Sequence, residues 1–74
     1  MDAQDLKATL EARWHVERMG PLDEQSLNHE VRDVLQHAFM VNEMGRMILF
    51  NALKNGKIGV AEFKRRALHN TPGG

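Results

Sequence analysis

The amino-acid sequence predicts a small all-α domain of three helices, in which a long central helix forms a hairpin with the first and a short third helix follows. Apolar residues recur at spacings of three and four, and turn-forming residues are confined to a few places between these segments. The 74 residues include no cysteine, so neither disulfides nor thiolate-bound zinc can reinforce the fold. Because a chain this short buries only about 60% of the surface it exposes when unfolded, we expect a dimeric helical bundle.

The first helix is predicted over residues 2–19. Acidic residues stand at its start and basic residues at its end, which complements the helix dipole. Leu6, Leu10 and Trp14 fall on one face and form an apolar stripe. The Gly20-Pro21 pair ends the helix, because glycine suits the left-handed conformation that closes helices and proline cannot continue the backbone hydrogen bonding.

A long central helix is predicted from Pro21 to Asn55, either continuous or as two nearly collinear pieces, because no proline interrupts this stretch. Pro21 suits the first helical position, although Ser26 or Asn28 could cap a later start. One face carries apolar and small residues in alternating steps of four and three, and we expect this face to be core. Its members are Leu27, Val31, Val34, Ala38, Val41, Gly45, Ile48 and Ala52, with Leu35, Leu49 and Leu53 at its edge.

The third helix is predicted over residues 60–69, after a turn at Asn55-Gly56. Val60, Phe63 and Ala67 share its apolar face. The whole helical domain is therefore expected to span residues 1–70, followed by a flexible C-terminal tail at 71–74.

The back of the central helix carries a second apolar surface, opposite the predicted core face. Clustered apolar side chains in such a position are unusual on a free monomer, and methionine adapts well to partner surfaces. We therefore predict a dimer interface, or a surface for another protein, formed by Phe39, Met40, Glu43, Met44, Met47 and Phe50. The alternative is that the third helix folds back over this surface within one chain.

Small residues on the predicted core face indicate close helix packing. Ala38, Gly45 and Ala52 recur every seven residues, so another backbone could approach the central helix there. A glycine inside a helix costs about 1 kcal/mol relative to alanine, and close packing would explain its presence. An equally good explanation is that Trp14 of the first helix needs room over Gly45.

No set of residues indicates catalysis, a cofactor or a metal. Ser26 is the only serine, and no nucleophile with a base and an orienting group is readable. His29, Asp33 and His37 are four residues apart and resemble a metal-binding arrangement, yet the two histidines are separated by about 12 Å along a helix. We therefore predict no metal site, and the histidines could instead make association sensitive to pH.

Residues 51–62 resemble the second half of an EF-hand calcium loop and its exiting helix. Gly56 and Glu62 match the turn glycine and the bidentate carboxylate of such loops. Leu53 stands where an oxygen ligand is needed, and Asn51 replaces the leading aspartate. We therefore interpret this segment as a helix end, a turn and a helix start that need no calcium.

Charge is balanced overall but uneven along the chain. Ten basic and ten acidic residues give a net charge of zero, yet from residue 54 onward five basic residues face one acidic residue. In a dimer, these basic ends could contact phosphates on a duplex. An alternative function is therefore a dimeric nucleic-acid-binding transcriptional regulator that uses Lys57, Lys64, Arg65 and Arg66. Otherwise these side chains neutralise the acidic N-terminal half.

The function predicted first is that of a small non-enzymatic protein-binding regulator, such as an adaptor, an inhibitor or a chaperone-like protein. Its expected partners are a second copy of itself and another protein, with no cofactor, membrane or small-molecule substrate. The acidic N-terminus lacks the features of a secretory signal. The longest apolar run is far shorter than the ~20 residues that span a bilayer, so a cytoplasmic location is expected.

Overall fold

The computed structural model describes residues 2–37 and 43–69, and these residues form four α-helices and no strand. The helices are α1 (Ala3–Glu17), α2 (Glu24–His37), α3 (Glu43–Lys54) and α4 (Val60–His69). The prediction of an all-α fold is confirmed, and α4 has the predicted bounds. The prediction of three helices is wrong, because the central segment contains two. The predicted tail at 71–74 lies outside the described residues.

The predicted long central helix is replaced by α2 and α3, which do not lie end to end. A straight helix over residues 24–54 would be about 46 Å long, whereas the longest dimension of the fold is 34 Å. Both α2 and α3 pack against α1 and α4, and within the described residues no Cα atom of α2 lies within 8 Å of one in α3. The pair of α1 and α4 therefore forms the shared centre of the packing.

Aspartate side chains begin α1 and α2. Oδ1 of Asp2 accepts a hydrogen bond from the backbone N–H of Asp5 at 2.8 Å. Oδ1 of Asp23 accepts from the backbone N–H of Ser26 at 2.6 Å, and this bond, with a second from the Ser26 hydroxyl, lowers the pKa of Asp23. Because Asp23 supplies the cap, α2 begins after it and not at Pro21 as predicted.

The end of α1 also differs from the prediction. The helix ends at Glu17, and Arg18 takes the closing left-handed conformation, with φ of 52°. The N–H of Arg18 donates to the carbonyl of His15 at 3.3 Å. Gly20 also has a positive φ, 98°, but it lies beyond the helix end. Its carbonyl accepts a hydrogen bond from Nε1 of Trp14 at 2.9 Å, which ties the turn back to α1.

One hydrophobic core draws on all four helices. The apolar faces predicted for α1, α4 and the first part of the central segment are confirmed by burial. On α2, Leu35 is 38% exposed although it was predicted at the edge of the core. The buried side chains are Leu6, Leu10, Leu27, Val31, Val34, Phe50, Leu53, Val60, Phe63 and Ala67.

The core face of α3 matches the prediction only in part. Leu53 is buried and Leu49 packs against the core, as predicted for the edge of this face. Ile48, predicted as core, is 66% exposed, and Phe50, predicted for the outer surface, is buried. The prediction carried the spacing of α2 through residues 38–42, as if one helix continued. Because α2 and α3 are separate helices, that phase does not apply to α3. Two further members of the predicted core face, Ala38 and Val41, lie outside the described residues.

Glu17 anchors the turn between α3 and α4 to α1. Its two carboxylate oxygens accept from the backbone N–H of Val60, the first residue of α4, at 3.0 and 3.1 Å. Nη2 of Arg13 lies 3.3 Å from the same carboxylate. A Cβ on Gly59 would lie 2.8 Å from Oε1 of Glu17, and one on Gly56 would lie 3.3 Å from Nη1 of Arg13. The two turn glycines therefore allow this close approach, which fixes the C-terminal end of α3.

Candidate interaction surface

The outer face of α3 consists of Met44, Met47 and Ile48. Spacings of three and four residues place these side chains on one side of the helix. That side is opposite Phe50 and Leu53, which face the core. The three side chains are 72%, 54% and 66% exposed, in chain order. The second half of α3 is thus held in the core, while the first half presents large apolar groups to solvent.

This exposure is concentrated on α3. Elsewhere in the described parts of the chain, the exposed large apolar side chains are Val16 and Met19 near the end of α1 and Leu35 on α2. Single exposed apolar residues are ordinary on protein surfaces, whereas contiguous groups mark interaction sites. The outer face of α3 is therefore the strongest candidate for a contact surface among the described residues.

The six residues predicted for an interface have different positions in the structure. Those exposed on α3 are Glu43, Met44 and Met47. Phe50 is 9% exposed and belongs to the core, so its predicted position on the outer surface is corrected. Phe39 and Met40 lie outside the described residues. Ile48 was missed as a surface residue, although the spacing of Leu49, Phe50 and Leu53, taken without the preceding helix, would have placed it outside.

The residues predicted for close helix packing lie beside this surface. Gly45 and Ala52 are half-buried on one flank of α3, and Ala38 lies outside the described residues. Trp14 is half-buried against the core, and its indole N–H binds the turn after α1. A close helix–helix approach at Gly45 stays a prediction, while Trp14 has a clear structural role at the α1–α2 turn.

The other flank of α3 carries a charge at each end. Glu43 stands in the first turn and Lys54 in the last turn, and both are exposed. At 100° per residue, a separation of eleven positions brings the two side chains to nearly the same direction, about 20° apart. Neither side chain has an ion-pair partner within the described part of the chain. Both charges therefore remain available to a partner.

Of the basic residues predicted for nucleic-acid binding, Lys57 is exposed and Lys64 is paired. Nζ of Lys64 lies 2.8 Å from Oε1 of Glu30, a contact that joins α4 to α2. The Glu30 side chain is only 18% exposed. Lys64 thus has a partner within the fold and contributes to packing between the two helices.

Arg65 and Arg66 both bind Glu62, one turn earlier on α4. Nη2 of Arg65 lies 2.5 Å and Nε of Arg66 lies 2.7 Å from Oε1 of Glu62. Hydrogen bonds from Arg65 and then Arg66 lower the pKa of Glu62 from 4.5 to about 2. The same bond raises the pKa of Arg65. Glu62 therefore partly neutralises the two arginines that a nucleic-acid-binding function would use to contact phosphates.

The histidine arrangement on α2 forms an ordinary surface pair. Nε2 of His29 lies 3.4 Å from Oδ2 of Asp33, with the two side chains 71% and 42% exposed. Across residues 2–37 and 43–69, no three histidine or carboxylate side chains converge as metal ligands would. The side chain of His37 is not among those the structure describes.

Comparisons with known proteins give no relative on which to base a function. The chain matches no family model, no curated protein and no solved structure. In the described part of the chain, every helix is too short or too polar to cross a membrane.

Proposed function

We propose that the protein is a small non-enzymatic protein-binding regulator that forms a homodimer through the outer face of α3. One observation carries this proposal: Met44, Met47 and Ile48 are each more than half exposed on the side of α3 that faces away from the core. An adaptor, an inhibitor and a chaperone-like protein would share this mode of action.

The energetics favour a dimer that depends on protein concentration. Complete burial of one side chain of this size contributes about 1.5–3 kcal/mol. Burial of the exposed fractions of three such side chains in each of two copies would gain roughly 6–12 kcal/mol. Association itself costs about 4–15 kcal/mol. The gain and the cost are of similar size, so we expect a dimer that dissociates on dilution.

The charge of the chain also supports association between identical copies. Two molecules with a net charge of zero do not repel one another at long range. Nucleic-acid binding has less support, because Lys64, Arg65 and Arg66 already form ion pairs within the chain.

The experiment compares two substitutions at equally exposed apolar residues. Ile48 on the outer face of α3 and Val16 on α1 are both 66% exposed. Ile48→Glu should keep the helical circular dichroism and give a monomer, because its charge would be buried in the dimer. Val16→Glu should behave as the wild type, with a mass that rises with concentration toward twice 8.4 kDa in sedimentation equilibrium.

Two results would contradict the proposal. A wild-type protein that stays monomeric at every concentration would exclude the homodimer. Equal dissociation of the Ile48→Glu and Val16→Glu dimers would show that the contact does not involve the outer face of α3.

A further inference from the structure

The two flanks of the α3 outer face differ in charge, and this difference bears on how two copies pair. One flank carries exposed Glu43 at its N-terminal end and exposed Lys54 at its C-terminal end, about 16 Å further along the axis. The opposite flank carries Gly45 and Ala52, which have no charged group. A partner that lies along α3 therefore meets a charged edge and an uncharged edge.

Symmetry decides which edges of two copies meet. In an antiparallel pair, the twofold axis lies between the helices and perpendicular to them, so each flank faces the same flank of the other copy with its direction reversed. In a parallel pair, each flank faces the opposite flank. Antiparallel pairing therefore places Glu43 of each copy against Lys54 of the other, whereas parallel pairing places both charges against Gly45 and Ala52.

We propose that two copies of this chain pair through α3 in antiparallel orientation, with Glu43 of each copy beside Lys54 of the other. This proposal rests on the proposed homodimer and specifies its geometry. Opposed helix dipoles favour the same orientation. The apolar side chains supply the affinity, and the two ion pairs select orientation and register, because exposed ion pairs contribute little energy.

The register predicts which residues face one another across the pair. Centring the contact on the outer face places Met47 opposite Ile48 and Met44 opposite Asn51, an exposed residue one turn further along the same side. In this register Glu43 and Lys54 of the other copy are offset by about 3 Å along the axis, which their long side chains can span. Met44 then lies far from Met44 of the other copy. In a parallel pair, by contrast, Met44 faces itself.

The absence of native cysteine allows a direct test by disulfide trapping. Met44→Cys and Asn51→Cys proteins are mixed in equal amounts in a glutathione redox buffer, and the disulfide-linked dimers are separated by intact mass. Random pairing gives half mixed dimers. We expect the mixed dimer to exceed half of the linked product, because the thiol introduced by Met44→Cys in one copy lies beside the thiol introduced by Asn51→Cys in the other. A Val16→Cys protein, altered at an exposed site on α1, measures linkage from random collision.

The outcomes of this experiment separate the geometry from the association. An excess of dimers linked through two copies of the same variant would overturn the antiparallel arrangement while leaving self-association intact. Linkage no greater than that of the Val16→Cys control would overturn both the geometry and the proposed homodimer.

Charge exchange gives a second and independent test. Glu43→Lys and Lys54→Glu should each weaken the dimer by a few-fold to about tenfold, because each places like charges together twice per dimer. The combined variant should restore the wild-type dissociation constant. It does so even though a lysine at the start of α3 and a glutamate at its end both oppose the helix dipole. A combined variant weaker than both single variants would contradict the proposed pairing.

Discussion

Removing the Glu17 carboxylate tests whether the turn between α3 and α4 is anchored to α1. In Glu17→Ala, the backbone N–H of buried Val60 loses two oxygens that lie 3.0 and 3.1 Å away. An unsatisfied buried N–H costs about 1–3 kcal/mol, and a carboxylate at a helix N-terminus contributes roughly 0.3–1 kcal/mol. Arg13 also loses an ionic partner whose side chain is 23% exposed. We expect the free energy of unfolding to fall by about 2–3 kcal/mol.

Two matched variants make this prediction specific. Glu17→Gln keeps an acceptor oxygen without the charge, and should recover about half of the loss, because charge-assisted hydrogen bonds are roughly twice as strong as neutral ones. Glu11→Ala changes an exposed glutamate on the same helix and should cost less than about 0.5 kcal/mol.

Urea unfolding followed by circular dichroism gives these free energies at neutral pH. The Ile48→Glu background separates them from dimer formation, which otherwise adds to the apparent stability. A loss in Glu17→Ala equal to that in Glu11→Ala would refute the anchoring of the turn.

Three further predictions concern the turn, the surface ion pairs and the core. Gly20→Ala and Gly56→Ala should each lower the stability in urea unfolding, because both glycines have a positive φ that strains any residue with a Cβ. No loss at either position would contradict the left-handed conformation of these turns. Because the pKa of Glu62 falls from 4.5 to about 2, its contribution to stability is complete above pH 4.5 and is lost as the pH falls toward 2. Glu62→Gln should therefore flatten the decline in Tm over this range, and an unchanged profile would argue against the arginine contacts. Phe50→Ala should cost about 3–5 kcal/mol and largely unfold the domain, whereas a stable monomeric variant would return Phe50 to the contact surface.

The most accurate predictions from the sequence concern features set by residues close together in the chain, such as the apolar face of a helix. Alternating spacings of three and four placed Leu6 and Leu10 of α1 and Phe63 of α4 in the core, and burial confirms them. Local side-chain chemistry also decides where helices start, since Asp23 caps α2 by accepting a hydrogen bond from the backbone N–H of Ser26, three residues later. The sequence-based prediction instead placed this start at Pro21, or at a later cap by Ser26 or Asn28.

The central segment was predicted less well because periodicity does not show where one helix becomes two. Residues 38–42 contain neither glycine nor proline, so the predicted spacing continues through them and centres the core face of α3 on Ile48, while Leu49 and Leu53 at its edge are placed correctly. The error exchanged Ile48 with Phe50 between the core and the surface. Met44 and Met47 lie on the candidate surface in both descriptions.

Contacts between distant parts of the chain were beyond the reach of sequence patterns. Glu17 and Val60 are separated by 43 residues, and the partners Lys64 and Glu30 are separated by 34. No local spacing specifies such pairs, since they depend on how α1, α2 and α4 pack together. The pairing of Arg65 and Arg66 with Glu62 is different, because these residues lie three and four positions apart on one helix and such spacings are visible in the sequence.

The central claim is that the outer face of α3 contacts a second copy, and NMR on a mixed sample tests it most directly. Isotope-labelled and unlabelled protein are combined, and a filtered NOE experiment detects only contacts between different molecules. We predict intermolecular NOEs from the methyl groups of Met44, Met47 and Ile48. Intermolecular NOEs confined to other surfaces, or none at concentrations where the protein is dimeric, would contradict the claim.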